Sequence, residues 1–194
     1  MRQINPLRYI VLTLVMAALL AGNAGRAAEI AGIQVDDRIK SGSTEMQLNG
    51  AGLRTRLIFN IYVAALYLPQ KSSDPGTIIQ SRAPRRMALR MLRDLDGSTL
   101  LNALKDGLRD NHSEAELAAL QADISQLEKV FTTVGSTKSG DLIVLDLNNE
   151  GLVVTVNGNP RGSVASEALG RALLKIWLGE KPVEASLKKA LLGN

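Results

Sequence analysis

Apolar positions along the chain first fall at strand spacing, then at helical spacing, then at each again. Residues 29–48 alternate loosely, with Ile33, Val35, Ile39, Met46 and Leu48 as the apolar beats. They predict two short strands broken at Lys40-Ser41-Gly42-Ser43. Asn49-Gly50-Ala51-Gly52 reads as a Gly-rich turn. Leu53–Phe59 and Ile61–Leu68 then predict strands, with Asn60 as a bulge or bend between them. Pro69–Pro75 reads as a polar loop and Gly76–Ser81 as a helical turn. Met87–Leu92 predicts a strand with Met87, Leu89 and Met91 on one side.

Helical spacing follows. Ser98 is the expected cap of a helix whose apolar face is Leu101, Leu104 and Leu108. Ser113 with Glu116 has the form of a capping box, and Leu117, Leu120, Ile124, Leu127 and Phe131 continue one helix from it. Asp141–Leu147 and Gly151–Val156 predict a hairpin closed at Asn148-Asn149-Glu150-Gly151. Asn157-Gly158-Asn159-Pro160 reads as the next turn. Ser166 caps a helix with the face Leu169, Leu173, Ile176 and Trp177, ended by Gly179 and Pro182. Glu184–Leu192 predicts a last short helix. This order argues an α+β fold, with helices laid on one face of an antiparallel sheet.

The first 27 residues read as a secretory leader and residues 28–194 as one domain. Arg2 and Arg8 precede an apolar run from Tyr9 to Leu20, too short for a comfortable membrane span. Small residues at Gly25 and Ala27 place cleavage after Ala27, with Ala28 or Ala24 as alternatives. A periplasmic protein is expected, meeting the membrane only through the leader before cleavage. The leader holds three of the 23 Lys+Arg and none of the 19 acids, so the remainder is close to neutral at +1. Nothing in that balance calls for a nucleic-acid partner. With no Cys in the chain, disulfides, Cys-based zinc and c-type haem attachment are excluded. The sole His, His112, falls between two predicted helices and reads as a surface residue, so neither a metal cluster nor a Ser-His-Asp triad is indicated.

Arg54 and Arg56 are the residues that invite a chemical reading. If Leu53–Phe59 is extended, Arg54, Arg56 and Ile58 share one face, and Leu53, Thr55, Leu57 and Phe59 the other. Two guanidinium groups then point the same way, either as solvated charges on an open sheet face or as an anion-binding pair.

Gly50-Ala51-Gly52-Leu53-Arg54, followed by a strand ending in Leu66-Tyr67-Leu68-Pro69, resembles the chalcone isomerase-like family. Val156–Gly162 resembles its late hairpin. Ile176–Val183, with Ser186-Leu187-Lys188 and Leu191-Leu192-Gly193, resembles its C-terminal helix pair. The likeness is to the exported bacterial branch rather than to the plant enzymes. It implies an open-faced β-sandwich with helices packed on one face of a large antiparallel sheet. In the plant isomerases an arginine at the position of Arg54 stabilises oxygen charge in the ligand cleft. They carry Thr where this chain has Tyr62, and Tyr there is similar to the fatty-acid-binding relatives. The isomerases also place a catalytic Tyr just after the strand matching Met87–Leu92. Here that position reads Asp96-Gly97-Ser98-Thr99, with no Tyr beyond residue 68.

The resemblance therefore implies a monomeric, non-catalytic binder of a small apolar carboxylate such as a fatty acid, with no cofactor. Arg54, Tyr62 and Arg56 are the expected ligand-binding residues: a guanidinium and a phenol at the mouth of an aliphatic cavity form a carboxylate clamp. The alternatives are an intramolecular lyase acting on an enone, a haem binder with Tyr62 or His112 as axial ligand, and an envelope scaffold. A further reading has Tyr62 packed in the core, its hydroxyl satisfied by Arg54.

Overall fold

A computed structural model describes residues 28–194, and the leader predicted for 1–27 lies outside the described residues. The chain folds as α+β. A hairpin of β1 (Ala28–Ile30) and β2 (Ile33–Val35) leads into β3 (Arg38–Ser41), β4 (Thr44–Arg56) and β5 (Phe59–Leu68). Helix α1 (Pro75–Gln80) precedes β6 (Arg85–Met91). Helices α2 (Gly97–Asn111), α3 (Glu114–Ala119) and α4 (Gln121–Val134) then run in succession. Strands β7 (Leu142–Asn148), β8 (Gly151–Val156) and β9 (Asn159–Val164) return to the sheet, and α5 (Glu167–Leu178) and α6 (Ala185–Leu191) end the fold. Strands β3 to β9 form one seven-stranded antiparallel sheet in sequence order.

Alternation within the strands decides what each face meets. On β6, Met87, Leu89 and Met91 are buried and point to the helices. Ala64, Leu66, Ile143, Leu145 and Val154 join them on that face. Against it pack Leu104 and Leu108 of α2, Leu127 and Phe131 of α4, and Leu169, Leu173, Ile176 and Trp177 of α5. The opposite face carries Met46, Val63, Ala65 and Tyr67, over which β1 and β2 lay Val35, Ile30 and Ile33. The Tyr67 hydroxyl donates to the Asp36 carbonyl at 2.9 Å, tying that small hairpin down.

Several boundaries differ from the sequence expectation. Asn49–Gly52 is no turn: it lies inside the 13-residue β4. Its glycines serve close packing, because a Cβ on Gly50 would lie 2.0 Å from the Ala190 carbonyl oxygen of α6. Buried Asn49 reinforces the approach by donating to the carbonyls of Leu191, at 2.7 Å, and Ser72, at 3.0 Å. The hairpin between β4 and β5 turns at Leu57-Ile58, so Phe59 opens β5 instead of closing the preceding strand. The irregularity expected at Asn60 is a bulge at Ile61.

The first long helix begins with Asp96, not Ser98, at its N-cap position and with no side-chain capping bond, and its buried stripe runs through Leu100 rather than Leu101. The single helix expected from Ser113 breaks at Leu120 into α3 and α4, which lets α4 turn its own face to the sheet. The capping box at Ser113 and Glu116 is present. Asn157-Gly158 alone forms the turn after β8, and Asn159-Pro160 already belongs to β9. Pro160 is tolerated because β9 is the edge strand.

Candidate functional site

The site begins with the register of β4 against β5. Arg54 pairs with Tyr62, and Thr55 pairs with Asn60, leaving Ile61 as the extra residue of a bulge. The bulge breaks strict alternation, so that Ile61 and Tyr62, neighbours in sequence, both line one cavity. Arg54 and Arg56, two residues apart on β4, line it as well. The expectation that these two arginines share a face holds, although Ile58 sits in the turn.

This cavity has a volume of about 500 Å³ and lies between the sheet and the helices. Leu89, Ile143 and Leu145 form its sheet side, Leu100 and Leu104 of α2 cover it, and Phe131, Ile176 and Trp177 close it. Gly107 lets α2 and α5 meet closely, since a Cβ there would fall 2.8 Å from the Ile176 side chain. Polar residues gather at the rim: Arg54, Arg56, Asn102, Asp106, Asp110 and Lys181. The walls suit an apolar body and the rim suits a polar head.

Tyr62 sits at the inner end. It is 9% exposed, and its oxygen accepts a hydrogen bond from the Trp177 indole N–H at 3.1 Å. The Trp177 indole is the close donor to the phenol oxygen, the Arg54 guanidinium also acts on that oxygen, and the O–H proton has no acceptor among the described residues. Burial pushes the Tyr62 pKa up, against the pull of the Trp177 bond and the Arg54 charge, so the group is a neutral donor.

Arg54 is already engaged. Its guanidinium lies 3.1 Å from the Glu184 carboxylate, and both side chains are about one-fifth exposed, at 22% and 21%. It also donates to the Thr55 carbonyl. Glu184 accepts from the Thr55 amide at 2.8 Å, the Thr55 hydroxyl at 3.1 Å and the Ser186 hydroxyl at 2.8 Å. Partial burial works to raise the Glu184 pKa, but these bonds and the one from Arg54 outweigh it and hold the carboxyl below its ordinary range. Arg56, by contrast, is exposed and has no ion-pair partner among the described residues.

His112 lies elsewhere. Half-buried, with Nδ1 2.9 Å from the Leu108 carbonyl oxygen, it belongs to a separate groove lined largely by charged and polar residues such as Glu116, Lys175 and Lys188. Tyr62 and His112 therefore do not face one ligand. No cluster of three or more His, Cys, Asp or Glu with metal-binding geometry occurs among the described residues.

The model of the chalcone isomerase-like family matches residues 27–193. The chain belongs to the chalcone isomerase-like family. Its fold is similar to the crystal structure of a fatty-acid binding protein from Arabidopsis thaliana, with a TM-score of 0.68 and 16% identity over 86% of this chain and 95% of that one. Comparison with curated proteins found no match. In this member of the chalcone isomerase-like family, Leu95 of the segment after β6 and Thr99 in the first turn of α2 line the cavity wall, and Tyr62 is the one phenol among the described lining residues.

Sequence reasoning brought Arg54, Arg56 and Tyr62 together but missed their partners. Glu184 is 130 residues from Arg54 and reads only as the start of a short helix. Trp177 falls on an apolar helical stripe, which signals core and hides its indole donor.

Proposed function

We propose that the protein binds a small apolar carboxylate, such as a fatty acid, in the cavity between β5–β7 and α2, and does so as a periplasmic monomer after loss of residues 1–27. The observation that carries this reading is the pairing of aliphatic walls with a buried neutral phenol and two arginines at one end. An acyl chain needs only apolar contact, and its carboxylate needs charge-assisted donors. The similar Arabidopsis fold is that of a fatty-acid binding protein, which supports the same ligand class.

The two arginines differ in role. A carboxylate arriving beside Arg54 meets a guanidinium whose charge Glu184 already balances in part. Arg56 has no ion-pair partner among the described residues and is the stronger electrostatic anchor, with the Tyr62 O–H as the inner donor.

Displacement of a fluorescent fatty acid, run with a series of acids against the matching alcohols, tests the proposal. Acids should bind more tightly than alcohols, and a hydroxylated chalcone should not be converted to flavanone. Equal binding of acids and alcohols, or rapid stereoselective cyclisation of the chalcone, overturns it. Fractionation with N-terminal sequencing tests the compartment: a form starting at or near Ala28 should appear in the periplasmic extract.

A further inference from the structure

The β4–β5 hairpin leaves Leu57 92% exposed, Ile58 88% and Phe59 45%. Among the described residues, Val153 at 40% is the other exposed large apolar side chain. Scattered exposed apolar residues are ordinary, but three in succession at a hairpin tip form a patch. Turn chemistry does not account for it. Leu57 has a φ of 57°, a left-handed conformation in which such a two-residue turn favours glycine. Leucine there opposes the local backbone preference and buries nothing. A position that breaks a folding rule without a structural return points to function.

The charges around the tip indicate what it meets. Arg56 immediately precedes the turn, and the Arg93 guanidinium carbon lies 4.0 Å from the centroid of the Phe59 ring. Neither arginine has an ion-pair partner among the described residues. With the chain outside the leader near neutrality, this pair of cations is a local feature. Apolar residues projecting beside two arginines that have no ion-pair partner among the described residues match a bilayer bearing anionic headgroups, with the side chains at the acyl boundary and the cations at phosphate level.

We propose that the Leu57-Ile58 tip docks on an anionic lipid surface. A protein partner fits less well, because a stable interface takes about 800 Å² from each side and a convex two-residue tip offers far less. The contact is peripheral, since no described helix is long and apolar enough to cross a membrane. Arg56 lines the cavity rim as well as flanking the tip, so docking turns the cavity mouth toward the bilayer. The inference concerns the tip and holds whatever the cavity binds.

The test uses residues 28–194, which contain every element of the described fold and lack the apolar run at Tyr9–Leu20. The protein is sedimented with vesicles of phosphatidylglycerol and phosphatidylethanolamine, and in parallel with phosphatidylcholine alone. Binding to the anionic vesicles should be stronger and should weaken as salt rises. The double variant Leu57→Gly/Ile58→Ser suits the turn, so its melting temperature should not fall, yet its vesicle affinity should drop by about tenfold or more. Arg93→Gln should lower affinity for anionic vesicles by about fivefold and leave phosphatidylcholine unaffected. Failure of the wild type to sediment with anionic vesicles, or equal binding by the double variant, overturns the proposal. So does concentration-dependent dimerisation that the double variant abolishes in the absence of vesicle binding, which assigns the tip to a second copy.

Discussion

The Arg54 guanidinium lies 3.1 Å from the Glu184 carboxylate, so the arginine at the cavity rim carries a resident acid supplied by the N-terminal boundary of α6. The acid is held from several sides: the Thr55 amide and hydroxyl and the Ser186 hydroxyl donate to it as well. A carboxylate ligand must therefore share Arg54 or compete with Glu184 for it. This sets the expected order of effects at the rim.

Glu184→Gln should tighten binding of fatty acids, because it removes a competing negative charge while retaining an acceptor for the Thr55 amide. A partly exposed pair of this kind is worth at most about 1 kcal/mol, which corresponds to about fivefold in affinity. Arg56→Ala should weaken binding at least as much as Arg54→Ala does, since among the described residues no acid neutralises Arg56 as Glu184 does Arg54. Calorimetry on the three variants with one fatty acid checks the order. Weaker binding by Glu184→Gln would mean that the pair positions Arg54 for the ligand instead of competing with it.

Acidification should expose the same pair. The Glu184 carboxyl is held below its ordinary value of 4.5 in the folded protein. Below that value the unfolded chain binds more protons, so stability falls with pH. The contribution is fully present above the ordinary range and is lost as pH drops through the depressed folded value. Denaturant midpoints measured from neutral pH down through this window should fall less steeply in Glu184→Gln than in the wild type. Some slope should persist, because Asp141 and Asp94 are also held low. Identical slopes would show that Glu184 gains nothing from Arg54 and Thr55.

The inner end of the cavity depends on the 3.1 Å bond from the Trp177 indole to the Tyr62 oxygen. Tyr62→Phe leaves a buried N–H without an acceptor and should cost about 1–3 kcal/mol of stability. Trp177→Phe should cost a similar amount or more, because it also removes ring volume. Once one partner is gone the other has nothing left to lose, so the double variant should cost less than the sum by about 1 kcal/mol. Urea denaturation of the set gives this coupling, and strict additivity would show that the bond is energetically silent.

Legibility of the fold followed the range of the forces involved. Met87, Leu89 and Met91 were readable as one face because alternation is local to β6. The caps at Ser113 and Ser166 were readable for the same reason. Asn49–Gly52 misled because glycine has two uses, and only α6, some 140 residues on, shows that close approach is the one in force here. Strand β9 was hidden by Asn159, Pro160 and Gly162, poor strand formers that an edge position tolerates. Arg54, Arg56 and Tyr62 were found through their spacing and a family resemblance. Glu184 and Trp177 reach the site through tertiary packing that no local pattern encodes.

The approach of α6 to β4 can be tested at a single atom. A Cβ on Gly50 would lie 2.0 Å from the Ala190 oxygen and 2.8 Å from the Leu191 oxygen, both backbone atoms that cannot rotate away. Gly50→Ala must therefore push the end of α6 off the strand and weaken the 2.7 Å bond from Asn49 to the Leu191 carbonyl. A loss of about 2–4 kcal/mol is expected, at the upper end of overpacking costs. Gly76→Ala is the matched control. Gly76 lies in α1 with an ordinary negative φ, and its nearest neighbour would be the Asp74 carboxylate at 3.5 Å. That substitution should be neutral or stabilise by up to about 1 kcal/mol, as alanine replaces glycine in a helix. Thermal or urea denaturation of the two variants separates the effects. If Gly50→Ala proves as stable as Gly76→Ala, α6 does not rest on β4, and the placement of Glu184 beside Arg54 loses its support.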